Sequence, residues 1–172
     1  MPNPVLPPLY TLIYEGKNKF FPMTKGDHLK LSRDATMVCS TAQGWGSSFV
    51  AIAHPPVGNV VLTLQSTGTR HMSTVIGYFD PSHCYDDQCF TNCTGVYPHQ
   101  FRGIQFYSYG ALRRISPDRL YVYNTIELVF TKETVSFLSR IPNCTFQHTI
   151  DRIKDFVFGI VVYSEGVSWS IQ

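Results

Sequence analysis

A period of two runs through the last third of the chain. Ile126, Leu128 and Phe130 share one parity, and Val167, Trp169 and Ile171 alternate with Ser168, Ser170 and Gln172. Successive side chains of a strand point to opposite faces, so this pattern makes one sheet face apolar and the other polar. It predicts a strand over residues 120–130, a turn over 131–134 and a returning strand over 135–138. A second hairpin is expected from strands 156–163 and 167–171 around a turn at 164–166, which draws the chain end into the sheet. The one helical candidate is a turn or two over 149–155.

Upstream, breaker residues cut the chain into short pieces. Strands are expected over 9–14, 28–31, 37–39, 49–53, 59–66, 73–79 and 103–109, with Val60, Leu62 and Leu64 in phase. Pro55-Pro56 stops one of them, because proline cannot donate to a ladder. Many short strands with turn signals between them indicate a sandwich or barrel. The fold expected is all-β, a two-layer antiparallel β-sandwich of jelly-roll or concanavalin-like form, with at most one short helix. Residues 1–24 are expected to hold a proline-containing arm and a first strand, and 25–172 the sandwich.

Composition excludes several functions. A net charge of +2 without a basic run, Arg113-Arg114 being the densest pair, does not make a nucleic-acid surface. No apolar stretch reaches the ~18 residues of a membrane helix. The first ten residues carry four prolines and no basic cluster, which suits an extended arm rather than a secretory leader. An intracellular, cytoplasmic setting is therefore expected. The five cysteines, Cys39, Cys84, Cys89, Cys93 and Cys144, form an odd set that fits free thiols in a reducing compartment. The sequons at Asn92 and Asn143 point the other way.

The ordered pieces from about Lys25 onward resemble the SPRY (B30.2) domain, with the neuralized homology repeat as a near relative. GDHLKLSRDATMVCS is similar to the family's L-x-L-S-x-D strand and turn, and STVIGYFDP to its x-x-V-G-V strand. SSFVAIAHPPVGNVVLTLQS resembles the strand, proline turn and strand ahead of the family's central strands. RGIQFYSYGAL stands where the family has W-x-Y and G-x-L, without the tryptophan. NTIELVFTKETVSFLSRIPNCTF resembles D-x-I-x-V-x-L-D followed by G-T-L-S-F, with residues 139–143 replacing the usual Asn-Gly turn. DFVFGIVVYSEGVSWSIQ resembles the closing strands. The resemblance implies two antiparallel sheets packed face to face, with loops at one end gripping a protein or peptide partner.

Residues 81–102 form the longest irregular stretch expected. A connection of that length inside a compact domain is commonly functional. It holds His83, Tyr85, Phe90, Tyr97 and Phe101, and aromatic side chains are enriched at interfaces. Two arrangements are open: the rings project as anchors, or they fold back as a cluster under the loop. Trp45 between Gly44 and Gly46 is open to the same two readings. The partner-binding candidates are Trp45, Tyr85, Phe90, Tyr97 and Phe101, with Asp87 and Arg102 as polar rim. His83, Cys84, Cys89 and Cys93, with His99 beyond, are a zinc-like constellation whose spacing is not the common C-x2-C pair. A Cys84–Cys93 or Cys89–Cys93 disulfide and free thiols are the other readings.

Neither H-E-x-x-H nor G-x-S-x-G occurs, so no catalytic residue is assigned and no cofactor is expected. The expectation is a non-catalytic protein-interaction module, an adaptor or small subunit, whose residues 2–8 could dock on a neighbour in a larger assembly. The alternative from another class is a carbohydrate-binding or glycoside-cleaving jelly roll.

Overall fold

The computed structural model describes residues 18–66, 73–99, 103–116, 125–141 and 144–172. The first sheet contains β1 (Lys19–Phe20), β4 (Phe49–Ala53), β6 (Thr74–Phe79), β7 (Thr94–His99), β8 (Gly103–Ser108), β9 (Ala111–Ser116) and β13 (Val157–Val162). The second contains β2 (Leu29–Leu31), β3 (Met37–Ser40), β5 (Gly58–Ser66), β10 (Thr125–Phe130), β11 (Thr134–Ile141), β12 (Cys144–Asp151) and β14 (Val167–Ile171). Their orders are β1-β4-β13-β6-β7-β8-β9 and β12-β11-β10-β5-β14-β3-β2, every pairing antiparallel. The one helical element among the described residues is a 3₁₀ turn at Pro22–Thr24. The all-β, two-layer sandwich expected from the sequence is the observed architecture.

The alternation in the last third does what a period of two requires. Ile126, Leu128 and Phe130 are buried while Thr125, Glu127 and Val129 are half-buried. The hairpin expected around residues 131–134 forms, with Phe130 opposite Val135, and Thr131 Oγ1 accepts from the Thr134 N–H at 3.0 Å. Trp169 is wholly buried, and its Nε1 donates to Thr74 Oγ1 at 3.0 Å. That bond joins β14 to β6 across the sandwich.

Three expectations are corrected. β13 and β14 do not form a hairpin: β13 pairs with β4 and β6, whereas β14 pairs with β3 and β5 in the other sheet. Every residue of β13 is buried, so its sequence carries no alternation to reveal which sheet it joins. Residues 149–151 are strand, not helix, because β12 continues until Asp151 faces Thr134. The long irregular stretch ends at Cys93, and Tyr97 sits on β7. The end of the 1–24 segment packs on the sandwich. Phe20 is fully buried, and Thr24 Oγ1 accepts from the Ala51 N–H at 2.9 Å while donating to the Phe21 carbonyl at 2.7 Å. The expected strand at 9–14 and the proline arm lie outside the described residues.

The middle strands of the first sheet are buried on both faces. Val50, Ile52, Ile76, Tyr78, Phe158 and Ile160 face the inter-sheet core. Phe49, Ala51, Val75, Phe79, Val157 and Val161 face outward into a second apolar cluster with Cys84, Tyr85, Cys89 and Cys93. A row of small residues crosses this outer face: Ala51 opposite Gly159, Gly159 opposite Gly77, and Gly77 opposite Gly95. A Cβ on Gly159 would meet the Phe49 ring at 2.6 Å. The row is thus a trench in which the Phe49 ring lies, with the Phe79 and Tyr85 rings edge-on at 5.3 and 5.5 Å. This packing fixes the segment 80–93 over the sheet.

Candidate interaction surface

Segment 80–93 is a chain of tight turns. The His83 N–H donates to the Asp80 carbonyl, the Thr91 N–H to the Gln88 carbonyl and the Cys93 N–H to the Phe90 carbonyl. Carboxylates cap two of the turns: Asp80 Oδ1 accepts from the Ser82 N–H at 2.9 Å and Asp86 Oδ1 from the Gln88 N–H at 2.8 Å. Such local bonds satisfy backbone groups that no ladder reaches.

Tyr85 is not a surface anchor. It is buried, and its hydroxyl donates to the Thr24 carbonyl at 2.5 Å. Its own carbonyl accepts from the Ser47 N–H at 2.8 Å, so one residue clamps both the 3₁₀ turn and the loop that carries Trp45. The opposite side of that loop is held by the Gly44 N–H donating to the Tyr163 carbonyl at 2.9 Å.

The remaining rings meet each other. Trp45 packs edge-on against Phe90 at 4.5 Å, with Tyr163 at 4.6 Å and Tyr97 at 5.6 Å. Phe90 stacks on Tyr97 at 5.6 Å and leans on Tyr107 at 5.8 Å. All five are half-buried, so the two arrangements open in the sequence are combined: the rings fold back on the sheet and still present part of their surface. Segment 80–93 also carries Asp80, Asp86 and Asp87. Asp86 and Asp87 are exposed, and a Cβ on Gly46 would stand 3.0 Å from Asp87 Oδ1. His83 Nδ1 donates to Asp86 Oδ2 at 2.9 Å, and that hydrogen bond, with the Asp86 and Asp80 charges, raises its pKa above the usual imidazole value.

Tyr107 and Tyr163 were not singled out in the sequence. Tyr107 shared the parity of Gln105 on an expected strand, a signal that gives a face but not a neighbour. Phe101 and Arg102 lie outside the described residues.

The described cysteines are not gathered into a metal-ligating cluster. Cys84, Cys89 and Cys93 are buried free thiols, and burial pushes each up to about 12. His83 turns to Asp86 instead, and no group of three or more His, Cys, Asp or Glu among the described residues could hold a metal ion. Neither disulfide considered from the sequence is formed. No helix among the described residues is long and apolar enough to cross a membrane.

No protein-family model and no curated protein sequence matches the chain. Solved structures do. The crystal structure of the TRIM65 PSpry domain matches with a TM-score of 0.64 at 15% identity, covering 90% of this chain and 91% of that one. The SPRY domain of human HERC1 matches with a TM-score of 0.59 at 13% identity, covering 88% and 96%. The stonustoxin structure matches with a TM-score of 0.60 at 11% identity over 91% of this chain and 28% of that one. The chain therefore has the SPRY fold.

Proposed function

We propose that this chain is a non-catalytic protein-interaction module that binds a protein or peptide through the aromatic surface beside segment 80–93. The observation that carries the reading is the set of five half-exposed rings, Trp45, Phe90, Tyr97, Tyr107 and Tyr163, locked together from separate parts of the chain. Rigid aromatics lose little entropy on binding and dominate interface energetics, and prior clamping lowers the cost of association. Asp86 and Asp87 supply an acidic rim that would favour a partner with cationic groups flanking an apolar centre. The SPRY fold supports a binding role by analogy only, since fold does not dictate function. As an adaptor or small subunit, the module would leave catalysis to other chains.

The test is affinity capture from native cells with mass spectrometry. Wild type is compared with a Trp45→Ala/Phe90→Ala variant and separately with Asp87→Lys, each first checked for an unchanged melting profile. Loss of the same partner in both variants supports the reading. Retention of every partner by both folded variants overturns it.

A further inference from the structure

Apart from the buried thiols, which burial keeps protonated, the first sheet carries an exposed outermost strand, β9. Among the described residues this strand is the last of its sheet and bonds on one side only, to β8. Every residue from Ala111 to Ile115 is exposed, and Leu112 and Ile115 are 47% and 50% so. Leu112 faces Tyr107 and Ile115 faces Gln105, and Tyr107 packs on Phe90, so both apolar side chains stand on the sheet's outer face.

An open edge with apolar side chains on one face is a template for another strand. What it accepts is set by charge. β7, β8 and β9 contain no Asp or Glu, and Arg113 and Arg114 sit in the middle of the edge. Arg114 is spent inward: its guanidinium lies 4.4 Å from the Phe106 ring centroid, and Nη2 reaches the Gln147 carbonyl at 3.5 Å, closing the gap between β9 and β12. Arg113 is the extra residue where the register steps from Phe106–Arg114 to Tyr107–Leu112. A second copy is a poor occupant. Antiparallel pairing of two β9 strands about their middle would bring both arginine pairs together, and like charges facing each other destabilise a sheet.

We infer that the edge of β9 with which no described strand pairs is a docking strand for an extended segment of a partner protein in which carboxylates alternate with apolar side chains. Main-chain hydrogen bonds to β9 supply affinity, Leu112 and Ile115 receive the apolar side chains, and Arg113 selects for acid. Leu112 borders Tyr107 of the aromatic surface, but strand pairing needs the β9 backbone, so loss of binding on backbone methylation separates edge docking from capture by the rings.

The experiment titrates the isotope-labelled full chain, followed by amide NMR, with a synthetic ten-residue peptide of alternating Glu and Val. Controls are the Lys-Val counterpart and a Glu-Val peptide methylated at its backbone nitrogens. Shifts and slowed amide exchange confined to 111–116 and the facing 103–108 are expected. Binding should weaken about tenfold in Arg113→Glu, with the Lys-Val peptide, or in Leu112→Ser, and vanish on backbone methylation. No shift up to about millimolar peptide, shifts confined to residues 44–48 and 80–93, or equal binding by Arg113→Glu would each overturn it, millimolar being the weak end of measurable affinity.

Discussion

The His54 imidazole lies flat on the Phe130 ring, with centroids 3.9 Å apart and planes 4° from parallel. Its Nδ1 donates to the Pro55 carbonyl at 2.9 Å, and the edge of Phe158 closes another side at 5.8 Å. Burial, reinforced by the Arg152 charge, lowers its pKa from 6.5 to about 4. The folded state therefore holds the neutral ring, and the unfolded state takes up a proton first as pH falls.

The stability held by neutral His54 is complete above pH 6.5 and is lost as pH falls towards about 4. At about 1.4 kcal/mol per pKa unit, the loss between pH 7 and 4.5 is roughly 2–3 kcal/mol. A His54→Phe variant keeps a ring on Phe130 and removes the titration. Urea unfolding at the two pH values should show the wild type losing about 2 kcal/mol more than the variant. His148, whose pKa burial also lowers, acts in the same direction in both proteins and cancels in the comparison. Equal losses would show that His54 is not the responsible group.

Tyr85 and Thr24 define a second test. The Tyr85 hydroxyl fills the Thr24 carbonyl, while the Thr24 hydroxyl is shared between Ala51 and Phe21. Tyr85→Phe leaves a buried carbonyl short of a partner and should cost about 1–2 kcal/mol in urea unfolding. Thr24→Val removes two bonds beneath the same clamp and should cost at least as much. Because Tyr85 also holds Ser47, Tyr85→Phe should speed hydrogen exchange at residues 44–48 before it changes exchange in β10 or β14. Uniform acceleration across the chain would show that the bond supports global stability and not the Trp45 loop.

Most of the sandwich was legible where one sheet face is polar. β10 alternates because its outer face is partly open to solvent, β14 alternates because Ser168 and Ser170 face away from the core, with Ser168 buried and donating to the Gln65 carbonyl, and the ordered motifs matched a known fold. Legibility failed where a strand is buried on both sides. β13 reads as an unbroken apolar run, so its partner sheet could not be inferred, and the same lack of contrast hid the second cluster beneath segment 80–93. The site was half legible. A place on the long stretch 81–102 indicated Phe90 and Tyr97, and flanking glycines indicated Trp45, but only three-dimensional packing separates them from Tyr85, which is turned inward to Thr24. Nothing local to Tyr163 points to Trp45, its partner more than a hundred positions upstream.

The thiols should divide by burial. Cys39 is half-buried, whereas Cys84, Cys89 and Cys93 are covered and held protonated by burial. The thiolate is the reactive form. Brief alkylation of the native protein at pH 8, followed by peptide mass mapping, should label Cys39 while the other three react only after denaturant is added. Labelling of Cys89 at the rate of Cys39 would mean that segment 80–93 opens readily and that the aromatic surface above it is not preformed.

The glycine trench gives the sharpest separation between scaffold and surface. A Cβ on Gly77 would stand 2.2 Å from the Thr94 carbonyl oxygen, and one on Gly95 2.1 Å from that of Ile76. Those atoms belong to neighbouring strand backbones and cannot move without breaking the β6–β7 ladder. Gly77→Ala and Gly95→Ala should therefore each lose about 3 kcal/mol or more, or fail to fold. Gly46→Ala meets mainly the end of the Asp87 side chain, at 3.0 Å, which can rotate away into solvent. Its cost should stay within about 1 kcal/mol. Thermal or urea melts of the three variants test the ranking. If Gly46→Ala falls with the other two, the contact between the Trp45 loop and segment 80–93 is part of the folding core, and the surface above it is as rigid as the sheet. If it melts like the wild type but captures less partner, the Asp87 carboxylate beside Trp45 is acting in recognition and not in support of the fold.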